Sequence, residues 1–170
     1  VTPVDAVALG LNYITAHQII HRIAGLTPGQ SILIHGAAGG VGTATLDLGR
    51  LAGLTMFGTA SAKKHDIVRQ RGGTPIDYRS EDFVEVIAEH GRVDAVLDPI
   101  GGAHLRRSYA ALAEGGTLVM FGISGDIEKG MSGVLTAALT QASLLLRLDG
   151  RKMRPYGCLL YTSPSPRDDR

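Results

Sequence analysis

Four glycines stand close together in one segment of the chain, and their spacing suits the binding of a phosphate. Gly36, Gly39, Gly40 and Gly42 follow the apolar run SILIH and precede residues with the apolar spacing of a helix. A strand-to-helix turn of this kind directs backbone N–H groups and the positive end of the helix toward an anion. We expect Gly39 to let a pyrophosphate approach the backbone and Gly42 to let the helix pack tightly on the strand. A tight turn without a ligand is the alternative.

The residues around these glycines exclude two other phosphate-binding turns. A P-loop requires Gly-Lys-Ser/Thr, whereas Gly42 is followed by Thr43 and Ala44. Short-chain dehydrogenases combine a similar turn with a catalytic Tyr-x-x-x-Lys, but none of the five tyrosines has a lysine four residues later. The strict dinucleotide fingerprint G-x-G-x-x-G is not met either, because Ala37 occupies the position of its first glycine.

Ser61 and Lys64 follow the second predicted strand, where a dinucleotide-binding fold selects its cofactor. An acidic residue at this strand end binds the ribose 2′-OH of NAD, and methyltransferases usually have one as well. No Asp or Glu occurs here. A 2′-phosphate carries a charge of about −2, which a hydroxyl and an ammonium group match. Ser61 and Lys64 therefore favour NADPH. The alternative interpretation is that Lys63 and Lys64 are only two solvated lysines that bind no cofactor.

Alternating apolar strands and amphipathic helices must position these groups. The apolar runs predict strands over 31–35, 55–59, 75–77, 93–97 and 117–121. Helices are predicted near the start, ending at about 24, after the glycine turn over about 41–52, and over 61–71, 81–90, 103–113 and 134–148. This alternation predicts an α/β fold, a Rossmann doubly wound parallel sheet with helices on both faces. His35 and Asp98 lie at the carboxyl ends of two of these strands. We expect the His35 side chain to form local hydrogen bonds, and we expect a turn at Asp98.

Charge, cysteine content and hydropathy exclude several classes of partner. Seventeen Lys and Arg balance sixteen Asp and Glu without a basic stripe, which argues against nucleic acid. The single cysteine, Cys158, excludes an internal disulfide and a Cys-rich zinc site. His17 and His21 share a helix face but suggest no third ligand, so we expect no metal. Residues 134–148 are too few and too polar to span a bilayer. We therefore expect a cytoplasmic protein without a membrane partner.

The chain resembles one known family along most of its length. The resemblance rests on six blocks in a fixed order, LNYITAHQII, IHGAAGGVG, GTASAKKHDIV, IDYRSEDF, VDAVLDPIGG and GTLVMFG. Together these blocks resemble the cofactor-binding domain of the medium-chain dehydrogenase/reductases, in the zinc-independent quinone oxidoreductase (zeta-crystallin-like) branch. The match covers about 4–125, and more loosely extends to 156.

The resemblance implies NADPH as cofactor and a hydride transfer to a quinone or another α,β-unsaturated carbonyl. It also implies the contacts of the cofactor. The pyrophosphate turn would contain Gly36, Gly39, Gly40, Val41 and Gly42. The 2′-phosphate would meet Ser61, Lys64 and Tyr78, and the nicotinamide side would hold Phe121, Gly122 and Thr15. No catalytic residue can be assigned, because such residues belong mainly to another domain of the family.

The same resemblance suggests how the chain is organised. We expect residues 1–157 to form the NADP-binding domain of a larger enzyme, with the catalytic GroES-like domain missing. We expect residues 158–170 to be a disordered tail that is not native to the fold, since two Ser-Pro pairs and a charged end continue no periodicity. The full-length protein would be compatible with a homodimer. The alternatives are a non-catalytic NADPH-binding module, a zinc-dependent alcohol dehydrogenase of the same superfamily, and a methyltransferase.

Overall fold

A computed structural model of the chain describes residues 2, 6, 9–121, 139–145, 147 and 149–157. The predictions for Gly122, for most of the helix over 134–148 and for the tail lie outside these residues. Residues 139–145 are helical, as predicted.

Six parallel strands form one sheet. They are β1 Ser31–His35, β2 Thr55–Ala60, β3 Gly73–Asp77, β4 Val93–Asp98, β5 Leu112–Met120 and β6 Lys152–Pro155. Their order across the sheet is β3-β2-β1-β4-β5-β6, so the direction of winding reverses between β1 and β4. Ligands of doubly wound sheets bind at this reversal, outside the carboxyl ends of the strands. The α/β prediction with a doubly wound parallel sheet is confirmed.

Helical segments connect the strands. The first is an α-helix, α1 Ile14–His17, between two π-helical stretches, Leu9–Tyr13 and Gln18–Ile23. The others are α2 Gly40–Leu51, α3 His65–Gln70, α4 Phe83–Glu89 and α5 His104–Ala110. A short 3₁₀ turn, Ala62–Lys64, precedes α3.

The core lies on both faces of the sheet, because side chains of a strand alternate between the faces. On one face Ile32 and Ile34 of β1 pack with Leu46 of α2. On the other, Leu33 packs with Phe83 and residues of α4 and α5. Each face is therefore covered by helices, which explains why β1 reads as a continuous apolar run.

The bounds of the elements differ most from the sequence prediction at α5 and β5. The predicted helix over 103–113 ends at Ala110, and β5 begins at Leu112 rather than at 117. The register between β4 and β5 shifts, because Val93 pairs with Leu112 while Ala95 pairs with Thr117. Gly115, with a φ of +77°, allows the extra residues to bulge within the strand. This glycine, which falls between the predicted helix and the predicted strand, therefore lies inside β5.

The sixth strand was not predicted. Within the described part of the chain, Lys152–Pro155 is an edge strand that pairs with β5 alone, and of its four residues only Met153 is buried. An exposed edge strand containing Lys, Arg and Pro has neither the apolar run nor the alternation that identifies a strand in sequence.

Candidate functional site

The glycine turn joins β1 to α2 through closely packed backbone. Gly36 has a φ of +67°, a conformation that favours glycine, and its carbonyl oxygen accepts a hydrogen bond of 2.9 Å from the Gly39 N–H. A Cβ added at Gly42 would lie 2.4 Å from that oxygen and 2.7 Å from Ala37 Cα. The expectation that Gly42 permits tight packing of the helix on the strand is confirmed.

The start of α2 offers backbone donors. The first N–H groups of a helix have no partner within the helix, and those of Gly40, Val41 and Gly42 make no hydrogen bond to any residue described by the structure. The turn is held from β2, because the Ala37 N–H donates to the Thr59 carbonyl at 3.0 Å. An anion beside this helix start would meet donors and the positive end of the helix dipole.

A cavity of about 500 Å³ opens beside this turn. It lies at the carboxyl ends of β1, β2, β3 and β4. The lining residues are His35, Gly36, Ala38, Gly39, Thr59, Ala60, Ser61, Lys64, Tyr78, Phe83, Pro99, Ile100 and His104. The structure thus brings together Gly36, Gly39, Ser61, Lys64 and Tyr78, five of the predicted site residues.

The lining of the cavity combines a cationic side chain with apolar ones. Lys64 and Ser61 both belong to it, with no carboxylate among the described lining residues. The Arg79 guanidinium stands 5.6 Å from the centroid of the Tyr78 ring, which adds a second positive charge nearby. Phe83, Pro99 and Ile100 form an apolar wall that the sequence prediction did not include. Pro99 and Ile100 directly follow β4. Because ligands of such sheets bind outside the carboxyl ends of the strands, both residues could have been predicted to line the cavity.

Five predicted site residues that the structure describes do not line this cavity. Gly40, Val41 and Gly42 belong to the helix start beside it. Thr15 is buried within α1. Phe121 directly follows β5, is partly buried against the core, and donates its backbone N–H to the Asp98 carbonyl at 3.1 Å.

A buried polar cluster underlies the cavity between β1 and β4. The Asp98 carboxylate, fully buried, accepts hydrogen bonds from Ser108 Oγ at 2.6 Å and from His104 Nδ1 at 2.9 Å. His35 Nε2 lies 3.2 Å from Ser108 Oγ, and His35 Nδ1 lies 3.1 Å from Thr59 Oγ1. The local hydrogen bonds predicted for His35 are confirmed, whereas the role of Asp98 was missed.

Burial and hydrogen bonding set the charges of this cluster. Burial lowers the pKa of His35 to about 3, because the charged ring would lose its hydration. Burial alone would raise the pKa of Asp98, but the hydrogen bond from His104, the electrostatic influence of the two neighbouring imidazoles and the hydrogen bond from Ser108 outweigh it and lower that pKa to about 2. At neutral pH the cluster therefore holds a neutral His35 and an ionised Asp98.

His35, Asp98 and His104 are also the three metal-ligating side chains that the described residues bring together. Their ligand atoms lie within 4.8 Å of one another. Hydrogen bonds already occupy these atoms, whereas a zinc ligand must offer a free lone pair about 2.0–2.2 Å from the ion. As arranged, the three residues do not fit a metal ion. His17 and His21 lie with ring centroids 4.6 Å apart on the first helical segment, and no third ligand joins them among the residues seen in the structure.

Comparisons with known proteins agree with this architecture. Residues 40–159 match the family model of the zinc-binding dehydrogenases. Over 124 residues the chain is 44% identical to the synaptic vesicle membrane protein VAT-1 homolog of Rattus norvegicus, which covers 71% of this chain and 31% of the relative. The chain thus spans about a third of the length of this curated relative.

Solved structures show the same fold. The structure of Escherichia coli quinone oxidoreductase complexed with NADPH has a TM-score of 0.78 and 26% identity, covering 96% of this chain and 49% of that one. The CurK enoyl reductase has a TM-score of 0.76 and 29% identity, covering 95% and 46% respectively. Among the residues that the structure describes, no helix combines the length and hydrophobicity that crossing a bilayer requires.

Proposed function

The chain belongs to the zinc-binding dehydrogenase family of the medium-chain dehydrogenase/reductase superfamily, and on that premise we propose that it binds NADPH for a hydride transfer to a quinone or another α,β-unsaturated carbonyl. We propose further that it is the cofactor-binding domain of a longer enzyme, which would contribute the catalytic residues. The observation that carries the proposal is that the glycine turn, Ser61, Lys64 and Tyr78 line the same cavity.

The residues present fit NADPH. The free N–H groups of Gly40, Val41 and Gly42 would hold the pyrophosphate at the start of α2. Ser61 and Lys64 would hold the 2′-phosphate, since a hydroxyl and an ammonium group both donate to it. The apolar wall of Phe83, Pro99 and Ile100 would take the adenine ring.

When bound, NADPH supplies the hydride, and the protein contributes binding, orientation and electrostatics. Lys64 adds a charge that favours a phosphate over a hydroxyl at the ribose 2′ position. The zinc of the family has no fitting set of ligands among the described residues, so we assign no zinc ligand to this chain.

The choice of acceptor rests on the similar structures. One is named a quinone oxidoreductase and the other an enoyl reductase. A quinone and an enoyl group both contain a carbon–carbon double bond conjugated to a carbonyl, which accepts a hydride at carbon. An α,β-unsaturated carbonyl is therefore the class of substrate that both names share.

The cofactor assignment is tested by titrating the chain with NADPH and with NADH. We expect NADPH to bind more tightly, and Lys64→Ala to reduce that preference about tenfold, because one charge-assisted contact is lost. Lys63→Ala is the matched control, since Lys63 is an exposed neighbour that does not line the cavity. Equal affinities of the unchanged chain for the two cofactors would overturn the 2′-phosphate assignment.

A non-catalytic NADPH-binding module is the second candidate. The relative with 44% identity is named a synaptic vesicle membrane protein rather than an oxidoreductase, which favours this alternative. Quinone-dependent oxidation of NADPH by the longer protein separates the two, and is followed by the absorbance of the reduced nicotinamide. Turnover supports the oxidoreductase. Tight NADPH binding without turnover of quinones or enones supports the binding module instead.

A further inference from the structure

We propose that a directed hydrogen-bond relay, formed by Asp98, Ser108, His35 and Thr59, fixes the glycine turn relative to the turn after β4. The relay would thereby position both sides of the cavity for NADPH. This inference rests on the proposed function, and it makes Ser108 a positioning residue that acts without touching the cofactor.

The relay begins where β1 and β4 separate. Backbone pairing between these strands runs from Ile32 opposite Ala95 to Ile34 opposite Leu97. The next residues, His35 and Asp98, are no longer paired through the backbone. Their side chains continue the connection through Ser108, at the point where the sheet reverses its winding.

At one end, the Asp98 carboxylate fixes the turn after β4. Its Oδ1 accepts the backbone N–H of Ile100 at 2.7 Å and that of Gly101 at 3.1 Å. Ile100 lines the cavity. Because a carboxylate that accepts several N–H bonds holds its turn in one conformation, Asp98 sets the position of this wall.

The donors and acceptors give the relay one direction. An ionised carboxylate only accepts, so the single Ser108 hydroxyl proton points to Asp98 Oδ2, 2.6 Å away. His35 Nε2, 3.2 Å from Ser108 Oγ, must then donate its proton to that oxygen. A neutral imidazole carries one N–H, so Nδ1 is the acceptor and receives the Thr59 hydroxyl proton at 3.1 Å.

At the other end, Thr59 holds the glycine turn by two contacts. Its hydroxyl oxygen accepts the Gly36 N–H at 3.3 Å, and its backbone carbonyl accepts the Ala37 N–H at 3.0 Å. Gly36 and Ile100 both line the cavity, and the buried side chains of Thr59, His35, Ser108 and Asp98 thus connect them. Ser108 is fully buried and is not among the lining residues.

The first test is the tautomer of His35 in the unchanged chain, read from the nitrogen shifts of a histidine-labelled sample by NMR. We expect the proton on Nε2, with Nδ1 unprotonated. A proton on Nδ1 would overturn the relay, and this measurement requires no variant that could fail to fold.

The second test is Ser108→Ala, which removes the acceptor of His35 Nε2 and one donor to Asp98. We expect NADPH to bind about tenfold more weakly, as for coupled sites, and the His35 tautomer to become mixed. Tyr109→Phe is the matched control. It also removes one hydroxyl from α5, at the residue after Ser108, but that hydroxyl donates to Asp149 and not to Asp98. We expect it to leave both readouts unchanged.

The outcomes separate the two proposals. If Ser108→Ala binds NADPH as tightly as Tyr109→Phe does, the positioning role is contradicted while the proposed function stands. If the unchanged chain binds no NADPH, the proposed function fails, and the positioning role fails with it. The tautomer then still decides whether the hydrogen-bond relay itself exists.

Discussion

Gly42 shows at the scale of one residue why the turn before α2 requires glycine. Atoms of the backbone, not the ends of flexible side chains, surround the space where its Cβ would stand. Backbone atoms of a turn cannot move independently, so a methyl group here would displace the helix from the strand. Gly42 therefore serves the close packing of the helix on the strand.

We expect Gly42→Ala to destabilise the chain by about 1–3 kcal/mol, as overpacking of a filled site does. NADPH binding should weaken as well, because the displaced helix start carries the free N–H groups. Urea denaturation and cofactor titration measure the two effects.

Gly10→Ala is the control for this substitution. Gly10 is exposed in the first helical segment, and a Cβ there would meet nothing within 4 Å. We expect a neutral or slightly stabilising effect, since alanine loses less entropy than glycine in a helix. Equal destabilisation by both substitutions would contradict the packing argument.

At the scale of one element, α4 begins with a capping residue that also reaches its neighbour. Asp82 accepts the Val84 N–H at 2.8 Å and the Arg107 guanidinium of α5 at 2.7 Å. The backbone hydrogen bond from Val84, followed by the contact with Arg107, lowers the pKa of Asp82 despite a small opposing effect of burial. Since Phe83 lines the cavity directly after this cap, the start of α4 helps to define the apolar wall.

We expect Asp82→Ala to lower the free energy of unfolding by about 1 kcal/mol, the usual effect of losing an N-cap. Asp82→Asn should retain most of that stability, because an amide oxygen still accepts the N–H. Thermal denaturation followed by circular dichroism measures the difference.

Asp66→Ala is the comparison for the cap. Asp66 forms an exposed ion pair with Arg69 at 3.1 Å on the same helix, and such pairs contribute little. If Asp66→Ala lowers the free energy of unfolding as much as Asp82→Ala does, the removal of a surface charge causes the effect, and the loss of the cap does not.

Elements with buried apolar faces could be predicted from sequence, and those shaped by long-range pairing could not. The apolar runs of β1, β2 and β4 place these strands to within one residue. By contrast, β5 continues through Gly115 while it pairs with β4, and β6 pairs with β5 at the edge of the sheet. Neither pairing is visible in the local pattern.

The same division holds in the site. Gly36, Gly39, Ser61 and Lys64 follow motifs of fixed spacing, so the sequence could predict that they would meet. Ser108 and Asp98 meet His35 through the packing of α5 on β4, which no spacing along the chain reveals. Thr15 and Phe121, assigned by resemblance alone, do not line the cavity.

At the scale of the whole molecule, the neutral His35 makes stability depend on pH. Its pKa is about 3 in the folded chain, against an ordinary value of 6.5. Between these values the unfolded chain binds the proton more strongly, so stability falls as the pH decreases below 6.5. Above 6.5 both states hold a neutral ring and the contribution is fully present.

We expect the free energy of unfolding to be about 2 kcal/mol lower at pH 5 than at pH 7 because of this group. Urea denaturation at the two values measures the loss. In His35→Gln the free energy of unfolding should differ much less between the two pH values. In His21→Gln, a substitution at an exposed position, the difference should remain. A pH dependence that His35→Gln leaves unchanged would show that another group is responsible.

The pairing of β1 with β4 also determines when the cavity can appear during folding. Asp94 accepts the Ser31 N–H at 2.7 Å across 63 positions of sequence, and contacts between such distant residues form slowly because the intervening chain must first be ordered. The units β1–α2–β2 and β2–α3–β3 can assemble from nearer neighbours. The cavity beside the glycine turn needs the ends of both β1 and β4. We therefore expect it to form late in folding, after the nearer pairings of β1 with β2 and of β2 with β3.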